Sequence, residues 1–451
     1  MGASAREAAV QLLQQVETGE RHSGEALDAL LRRTVLSPAD QALVSRLFYG
    51  VLERRLTLDY VLSACSSVKL KKMHPAVRNN LRAGAYQLLY MDKIPSSAAV
   101  NEAVTLTRTL RQPYAAGLTN AVLRAVQRRQ AELLSALPED AAGLAVRYSC
   151  PEALIACWQR DYGAERTLSL LREINAVPPN TLRINTLQVT ADHFLRRLEA
   201  EGIRYTRHPL LPECVEIADA AAIKGLESLP ENWYYHQDAA SQFCCAALDT
   251  HPGERVADVC AAPGGKSFTT AQRMENRGAL LSCDIYPGKC RTMEQRAQAF
   301  GVTIMRTAAR DASAPCPEPL RGAFDRVLCD VPCSGWGVIR RKPEIRYKDP
   351  ASFDALPELQ YRILEQSAQM VRPGGVLQYS TCTWSRRENE EVAARFLEAH
   401  PEFAPRVLPL DGCFAAAGQT PGAYITLFPD VHGTDGFFIA GFVRKADGNP
   451  G

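Results

Sequence analysis

The chain lacks any apolar run approaching the ~18 residues that cross a bilayer. It has no CxxC pair, and its eight histidines are scattered, so the paired spacings of a zinc site are missing and no metal is expected. The G-x-G-x-x-G dinucleotide fingerprint is absent. A P-loop fails too: Gly265-Lys266-Ser267 matches the end of G-x-x-x-x-G-K-[ST], but Cys260 stands at the first glycine position. Internal repeats and long low-complexity segments are also wanting. The start, with Arg6 and Glu7 and no apolar stretch behind them, is unlike a signal peptide. Arg6 also occupies the place where a myristoylation motif wants Ser or Thr. The 14 cysteines show no disulfide-scaffold spacing. The expectation is a cytoplasmic monomer, free of membrane, whose thiols are mostly small buried core residues.

What is present is an ordinary soluble composition, 46% hydrophobic and 23% charged, over 451 residues. Charge is unevenly placed. Residues 1–135 carry 18 Lys/Arg against 11 Asp/Glu, a balance of +7, so the rest sums to −5 of the total +2. A basic amino-terminal module suits attraction to a polyanion; it also suits an ordinary solvated helical surface.

Three segments follow from periodicity. Residues 1–138 read as a helical bundle. Ala9, Leu12, Leu13 and Val16 share a face, as do Val77, Leu81, Ala85, Leu88 and Leu89, and then Leu118, Val122, Leu123 and Val126. Breaks fall at Ser37-Pro38, His74-Pro75 and Ile94-Pro95, with Ser97 a predicted cap. Residues 139–235 read as a small α+β module with strands TLRINTL and CVEIA around a helix ended by Gly202. Arg183-Ile184-Asn185 there suits either a ligand contact or a strand edge. Residues 236–445 alternate strands (RVADVCAA, GALLSCDIY, TIMRTAA, RVLCDVPC, GGVLQYSTC) with helices. That rhythm predicts a mainly parallel sheet covered on both faces, with ligands beyond the carboxyl ends of its strands.

The motifs fall at those ends. Cys260-Ala261-Ala262-Pro263-Gly264-Gly265-Lys266 links a strand to a helix, where side-chain-free backbone lets a ligand approach the amides. Asp284 ends the next strand, about twenty residues on, where a carboxylate can hold ribose hydroxyls. Asp311 follows the third strand, within reach of an adenine amino group. Each acid alone also suits a helix cap or turn; in this order they favour an adenosine ligand. Asp330 and Cys333 stand at one later strand end and Cys382 at another. Pro332 keeps Val331 extended. Such a set suits methyl transfer to a pyrimidine. A thiolate adding at carbon 6 makes carbon 5 nucleophilic, a carboxyl group, for which the chain offers Asp330, hydrogen-bonds or protonates nitrogen 3, and an acid–base group assists breakdown of the adduct.

DVCAAPGGKS, DVPCSGWGVIRRKPEIRY and YSTCTW closely resemble the RNA 5-methylcytosine methyltransferase family. The amino-terminal helices, with RLFYGVLERRLTLDYVL and GLTNAVLRAV, resemble a NusB-type RNA-binding domain. The resemblance implies a Rossmann-like methyltransferase core using S-adenosylmethionine, and 16S ribosomal RNA as the substrate. It implies Cys382 as nucleophile and Cys333 as the group assisting release. It also implies residues 260–266, Asp284, Asp311 and Asp330 around the cofactor. Transfer RNA, another RNA or DNA is a competing substrate. A non-catalytic RNA-binding antitermination factor is the competing class. Arg310, where the family often has Gly, and Trp336, where a smaller residue is usual, are departures that bear on the two pockets. Trp336 suits either a stacking face for a flipped base or a core aromatic, and Arg340-Arg341-Lys342 suits a phosphate contact or a solvated run.

Overall fold

The computed structural model describes residues 4–19, 23–34 and 36–446. They fall into two compact units, Met1–Ala176 with Ile339–Pro350, and Val177–Val338 with Ala351–Gly451.

The first unit is helical: α1 (Ala5–Glu17), α2 (Ser23–Arg33), α3 (Pro38–Glu53), α4 (Arg55–Cys65), α5 (Pro75–Tyr90), α6 (Ser96–Thr109), α7 (Ala116–Ser135), α8 (Ala141–Tyr148) and α9 (Glu152–Glu173). The predicted breaks are helix starts. Pro38 and Pro75 open α3 and α5, where a missing N–H costs nothing. Ser37 Oγ accepts from Asp40 N, and His74 Nδ1 from Ala76 N. Ser97 is not a cap. Pro95 already holds the N-cap position, which puts Ser97 inside the first turn. The periodic faces are buried, with Leu12, Leu81 and Leu123 fully so.

Ile339–Pro350 belongs to this helical unit although it is far away in sequence. Its Arg346 is completely buried. Nη1 donates to Glu53 O, Ser149 O and Asn175 Oδ1, and Nη2 to Ile174 O. Tyr347 Oη donates to Leu52 O at 2.7 Å. The segment thus satisfies the last carbonyls of α3, which its own helix leaves unpaired. Glu344 accepts from Ser23 N and Oγ at the start of α2. An orphaned buried acceptor costs about 1–3 kcal/mol, so Arg346→Met is expected to lower the stability of the helical unit by ~3 kcal/mol or more. Urea unfolding followed by helical circular dichroism checks this; an unchanged midpoint would remove the strap from the fold's support.

The second unit has two sheets. The smaller, ordered β2-β3-β1-β4, is antiparallel and made of β1 (Asn180–Ile184), β2 (Tyr205–Arg207), β3 (Cys214–Ile217) and β4 (Tyr234–His236). It carries α10 (Ala191–Ala200) and α11 (Ala220–Gly225). The larger contains β5 (Arg255–Asp258), β6 (Ala279–Asp284), β7 (Met305–Ala309), β8 (Phe324–Asp330), β9 (Val371–Thr381), β10 (Phe403–Pro405), β11 (Tyr424–Leu427) and β12 (Phe437–Arg444). Its order is β10-β12-β9-β8-β5-β6-β7, with β11 on β12. The five strands expected from sequence are mutually parallel. The apolar β12 runs antiparallel beside β9 and pairs Phe438 with Thr381. Helices α12 (Ala239–Leu248), α13 (Gly265–Arg273), α14 (Pro287–Ala299), α15 (Leu356–Ala368) and α16 (Glu390–Ala399) cover the sheet. The whole is a Rossmann-like core with a small β-sheet module. No described helix is long and apolar enough to cross a membrane.

Arg183 and Asn185 bolt the smaller sheet to the core. Arg183 Nε donates to Gln272 Oε1 on α13, and Nη1 to Glu213 Oε2. Asn185 Nδ2 donates to Asn232 O and Phe300 O. Both side chains are buried and β1 is an interior strand, so the strand-edge expectation does not hold; the two residues pack the sheet onto the core.

Candidate active site

Each expected site residue sits at or just beyond the carboxyl end of a core strand, because parallel pairing of β5, β6, β7, β8 and β9 brings those ends to one sheet edge. The turn after β5 is tight. Gly264 has φ +104° and its N–H donates to Ala261 O at 2.7 Å. A Cβ there would lie 2.5 Å from the Phe268 ring, so only glycine fits. No side chain caps the first N–H groups of α13.

Lys266, in the first turn of α13, reaches across to Asp330 at the end of β8. Nζ lies 2.7 Å from Oδ2, and Ser380 Oγ donates to Oδ1 at 2.9 Å. Burial alone would lower the Lys266 pKa; the Asp330 carboxylate outweighs it and holds the ammonium up. Asp284 Oδ1 accepts from Tyr286 N, and Asp311 Oδ1 from Ser313 Oγ and N. The Ser313 bonds hold the exposed Asp311 carboxyl below its ordinary range. Asp284 and Asp311 therefore line the same edge, each held by its own turn.

The two thiols meet. Cys333 Sγ and Cys382 Sγ are 3.2 Å apart, and both residues are free thiols and partly exposed. The hydrogen bond with Cys382, reinforced by burial, pushes the Cys333 thiol well above its ordinary value. Gly337 N donates to Cys382 O at 3.0 Å; a Cβ at Gly337 would lie 2.1 Å from Gly436 O and 2.8 Å from Cys382 O. The loop after Cys333 thus lies directly on the loop of Cys382.

Trp336 is 5% exposed and packs edge-on against Phe353 at 5.9 Å, so it is a packed aromatic and not an open stacking face. Arg310 Nη1 turns to Met370 Sδ. Arg340 is buried, 3.9 Å from Glu173, and does not present itself to an exposed phosphate. Among the described residues no cluster of His, Cys, Asp or Glu is arranged to hold a metal ion.

The family described as 16S rRNA methyltransferase RsmB/F matches residues 245–443, the NusB family residues 3–128, and the RsmF/B-like ferredoxin-like domain residues 150–224. The chain is 35% identical to the "Probable ribosomal RNA small subunit methyltransferase B" of Bacillus subtilis (strain 168), over 98% of this chain and 99% of that one. It is 31% identical to the ribosomal RNA small subunit methyltransferase B of Klebsiella pneumoniae over 98% of each. The chain belongs to the RsmB/F family of methyltransferases. Among solved structures, a protein designated PH0851 superposes with a TM-score of 0.80 at 25% identity, over 98% of this chain and 99% of the other. A methyltransferase homolog from Pyrococcus horikoshii gives 0.58 at 27% identity, over 68% and 100%.

In this RsmB/F chain two residues that the motif reading passed over bind both thiol loops. Glu388 is 2% exposed. Its carboxylate accepts from Ser334 N (2.9 Å) and Ser334 Oγ (2.6 Å), immediately after Cys333, and from Gln360 Nε2 (2.9 Å), which also donates to Pro332 O. Asn389 Oδ1 accepts from Thr381 Oγ1 (2.6 Å), and its Nδ2 donates to Thr383 O (2.9 Å), one residue on each side of Cys382. Ser334 Oγ and Thr383 Oγ1 close the ring at 2.7 Å. Nothing in Arg386-Arg387-Glu388-Asn389-Glu390-Glu391 separates the buried acid from its solvated neighbours by sequence. Glu388→Ala is expected to lower kcat by roughly 10²-fold, the scale of an ångström-sized misplacement, with much less effect on KM. Glu388→Gln, which keeps two polar atoms in place, recovers part of it. Steady-state kinetics within twofold of the parent for both variants would dismiss the clamp.

Asp258, first residue of DVCAAPGGKS, is a third residue passed over. It is buried, and Ser267 Oγ donates to its Oδ2 at 2.7 Å, with Ser282 Oγ behind at 2.8 Å. Burial, with the nearby Asp330 charge, pushes its carboxyl up to about 7. The folded protein therefore holds a proton that the unfolded chain has released by about pH 4–5. Stability from this group is present below that range and declines as pH rises to about 7, with a slope of up to about 1.4 kcal/mol per pH unit. Asp258→Asn is expected to flatten this decline in denaturant titrations between pH 5 and 8; a parallel decline in the variant would assign it elsewhere.

Proposed function

We propose that this RsmB/F chain methylates carbon 5 of a cytosine in 16S ribosomal RNA, with S-adenosylmethionine as donor and Cys382 as transient covalent partner. The observation that carries this reading is the contact of the two thiols beside the Lys266–Asp330 pair. The fold's 16S rRNA methyltransferase match supports the substrate class.

The donor fits the residues present. Gly264 admits a close backbone approach, α13 starts without a side-chain cap, and acids end β6 and follow β7. Residues Cys260, Ala261, Ala262, Pro263, Gly264, Gly265 and Lys266 would hold it with Asp284 at the ribose, Asp311 toward the adenine and Asp330 near the sulfonium. It supplies an electrophilic methyl carbon. The other work falls to the chain. Cys382, as thiolate, adds to carbon 6 of the ring, and the electron pair released makes carbon 5 nucleophilic. Negative charge growing toward nitrogen 3 is met by the Lys266–Asp330 pair, in which Lys266 is the donor. In the breakdown, Cys333 gives its proton to the departing Cys382 sulfur and takes the proton of carbon 5 in return. A thiol that keeps its proton suits this role. We assign RNA holding to residues 1–138, with the small module 139–235 bracing the catalytic residues 236–445. The site of action is the cytoplasm, and a monomer suffices.

The test is methylation of 16S ribosomal RNA purified from cells lacking the gene. Cys382→Ser should abolish turnover, and Cys333→Ser should trap a protein–RNA adduct that survives denaturation. An adduct with Cys382→Ser instead would exchange the two roles. No methylation of any cytosine by the unaltered protein would reject the reading.

A further inference from the structure

The helical unit holds a groove that the chemistry above does not use. A cavity of about 800 Å³ opens between α4, the turn after it and α5, and is lined among others by Arg55, Asp59, Lys69, Lys71, Arg78 and Arg82. Its two acids are already engaged. Glu17 pairs with Arg78 (2.8 Å) and Arg82 (3.2 Å), and Asp59 holds Arg82 by a two-pronged contact at 2.7 Å. Arg78 and Arg82 are thus spent.

Arg55 is different. Its guanidinium carbon lies over the Tyr347 ring, 3.6 Å from the centroid, and the residue is half-buried. Among the described residues it has neither an ion pair nor a side-chain hydrogen bond. Stacking on Tyr347 fixes the plane and leaves the N–H edge to be satisfied. Tyr347 is itself held by Leu52 O. Lys69 and Lys71 stand exposed on the turn between α4 and α5, also without carboxylate partners. A second cavity of about 550 Å³ shares Glu17, Arg55 and Arg82 with the first and adds Lys348, exposed and without an ion pair among the described residues, and two acids, exposed Glu25 and half-buried Glu344, the latter held by Ser23. The two cavities thus share Arg55, and we treat them as one groove. Six cations, Arg55, Lys69, Lys71, Arg78, Arg82 and Lys348, line it against four acids, Glu17, Glu25, Asp59 and Glu344, so its surplus is positive.

We propose that this groove binds the phosphodiester backbone of the RNA substrate, with one phosphate on Arg55 and its neighbours on Lys69 and Lys71. The proposal rests on RNA being the substrate and locates a binding surface away from the reacting atoms. A planar guanidinium held on an aromatic face presents two parallel N–H donors to a phosphate, and the long lysine side chains on the turn meet the next charges as points.

The experiment measures binding of an unmethylated 16S ribosomal RNA transcript across a salt series, together with methylation kinetics. Each lost phosphate contact lowers the slope of log K against log salt by about 0.7–0.9. Lys69→Ala/Lys71→Ala should therefore flatten it by roughly 1.5 and raise KM for RNA about tenfold at moderate salt. Arg55→Gln should act in the same direction by about one contact. Lys93→Ala, an exposed lysine outside the groove, serves as the charge-matched control and should change neither. An unchanged slope and KM in the double-lysine variant would overturn the proposal, whether or not Arg55→Gln folds. Transcript binding that the groove variants weaken, without methylation by the unaltered protein, would leave the groove standing and refute the catalytic reading. Absence of any transcript binding would overturn both.

Discussion

The site depends on one buried carboxylate. Without Glu388 the backbone N–H of Ser334 would lie inside the protein with no acceptor, and Ser334 Oγ and Gln360 Nε2 would each lose one of their partners. Burying Glu388 is costly by itself, and the three donors aimed at it are what make it tolerable. Because Asn389 follows directly, the dipeptide that fixes the Cys333 loop also fixes Thr381 and Thr383. Two loops from two strands thereby share one anchor. The 3.2 Å sulfur contact is a consequence of that anchor together with the backbone contact of Gly337 on Cys382. A proton shuttle between two sulfurs requires such fixity, since transfer falls away once donor and acceptor leave hydrogen-bond reach.

The sheet supplies the next constraint. Because β8 lies between β5 and β9, the ends carrying Asp258, Asp330 and Thr381 are adjacent, although about fifty to seventy residues separate each from the next. Lys266 can bridge to Asp330 because its helix starts from the neighbouring strand. The antiparallel β12 then covers the far side of β9 and keeps the strand before Cys382 wholly inside the sheet. Ser380, paired on β9 with β8, donates to Asp330 from that protected position. An edge strand, open to water and to other chains, would hold such a contact less firmly.

Much of this was legible in the residues, and the parts that were not share a cause. Parallel strands buried on both faces carry long apolar signals, so RVLCDVPC and GGVLQYSTC announce themselves, and Gly264-Gly265 marks a turn that tolerates no side chain at Gly264. Helical faces in the first 135 residues are periodic enough to name core positions such as Leu12, Leu81 and Leu123. What escaped was the work of polar residues whose partners are distant in sequence. Glu388 looks like any acid in a charged run. Arg346 looks like part of a basic segment, yet it is completely buried among carbonyls of the helical unit. Arg183 and Asn185 suited a ligand as well as a strand edge, and they serve instead as buried contacts to α13 and Phe300, which only the fold brings to them. Such side chains are specified by satisfaction of hydrogen bonds across the fold, for which local pattern holds no signal.

Charge economy around the glycine turn explains why its two acids differ. Asp330 and Asp258 end neighbouring strands, and Lys266 is the ammonium that pairs with one of them. A second carboxylate at that depth, without its own cation, costs more to ionise than the one serine hydroxyl bonded to it returns. The Asp258 carboxyl accordingly rises to about 7 whereas Asp330 takes the lysine. Asp330 is part-exposed with its lysine at the carboxyl end of β8, whereas Asp258 is buried and tied to Ser267 in the first turn of α13. Exchanging the two would move the ion pair to the more buried position, where desolvating both charges costs more. The charge state of the turn therefore depends as much on which acid lacks a cation as on which one has it.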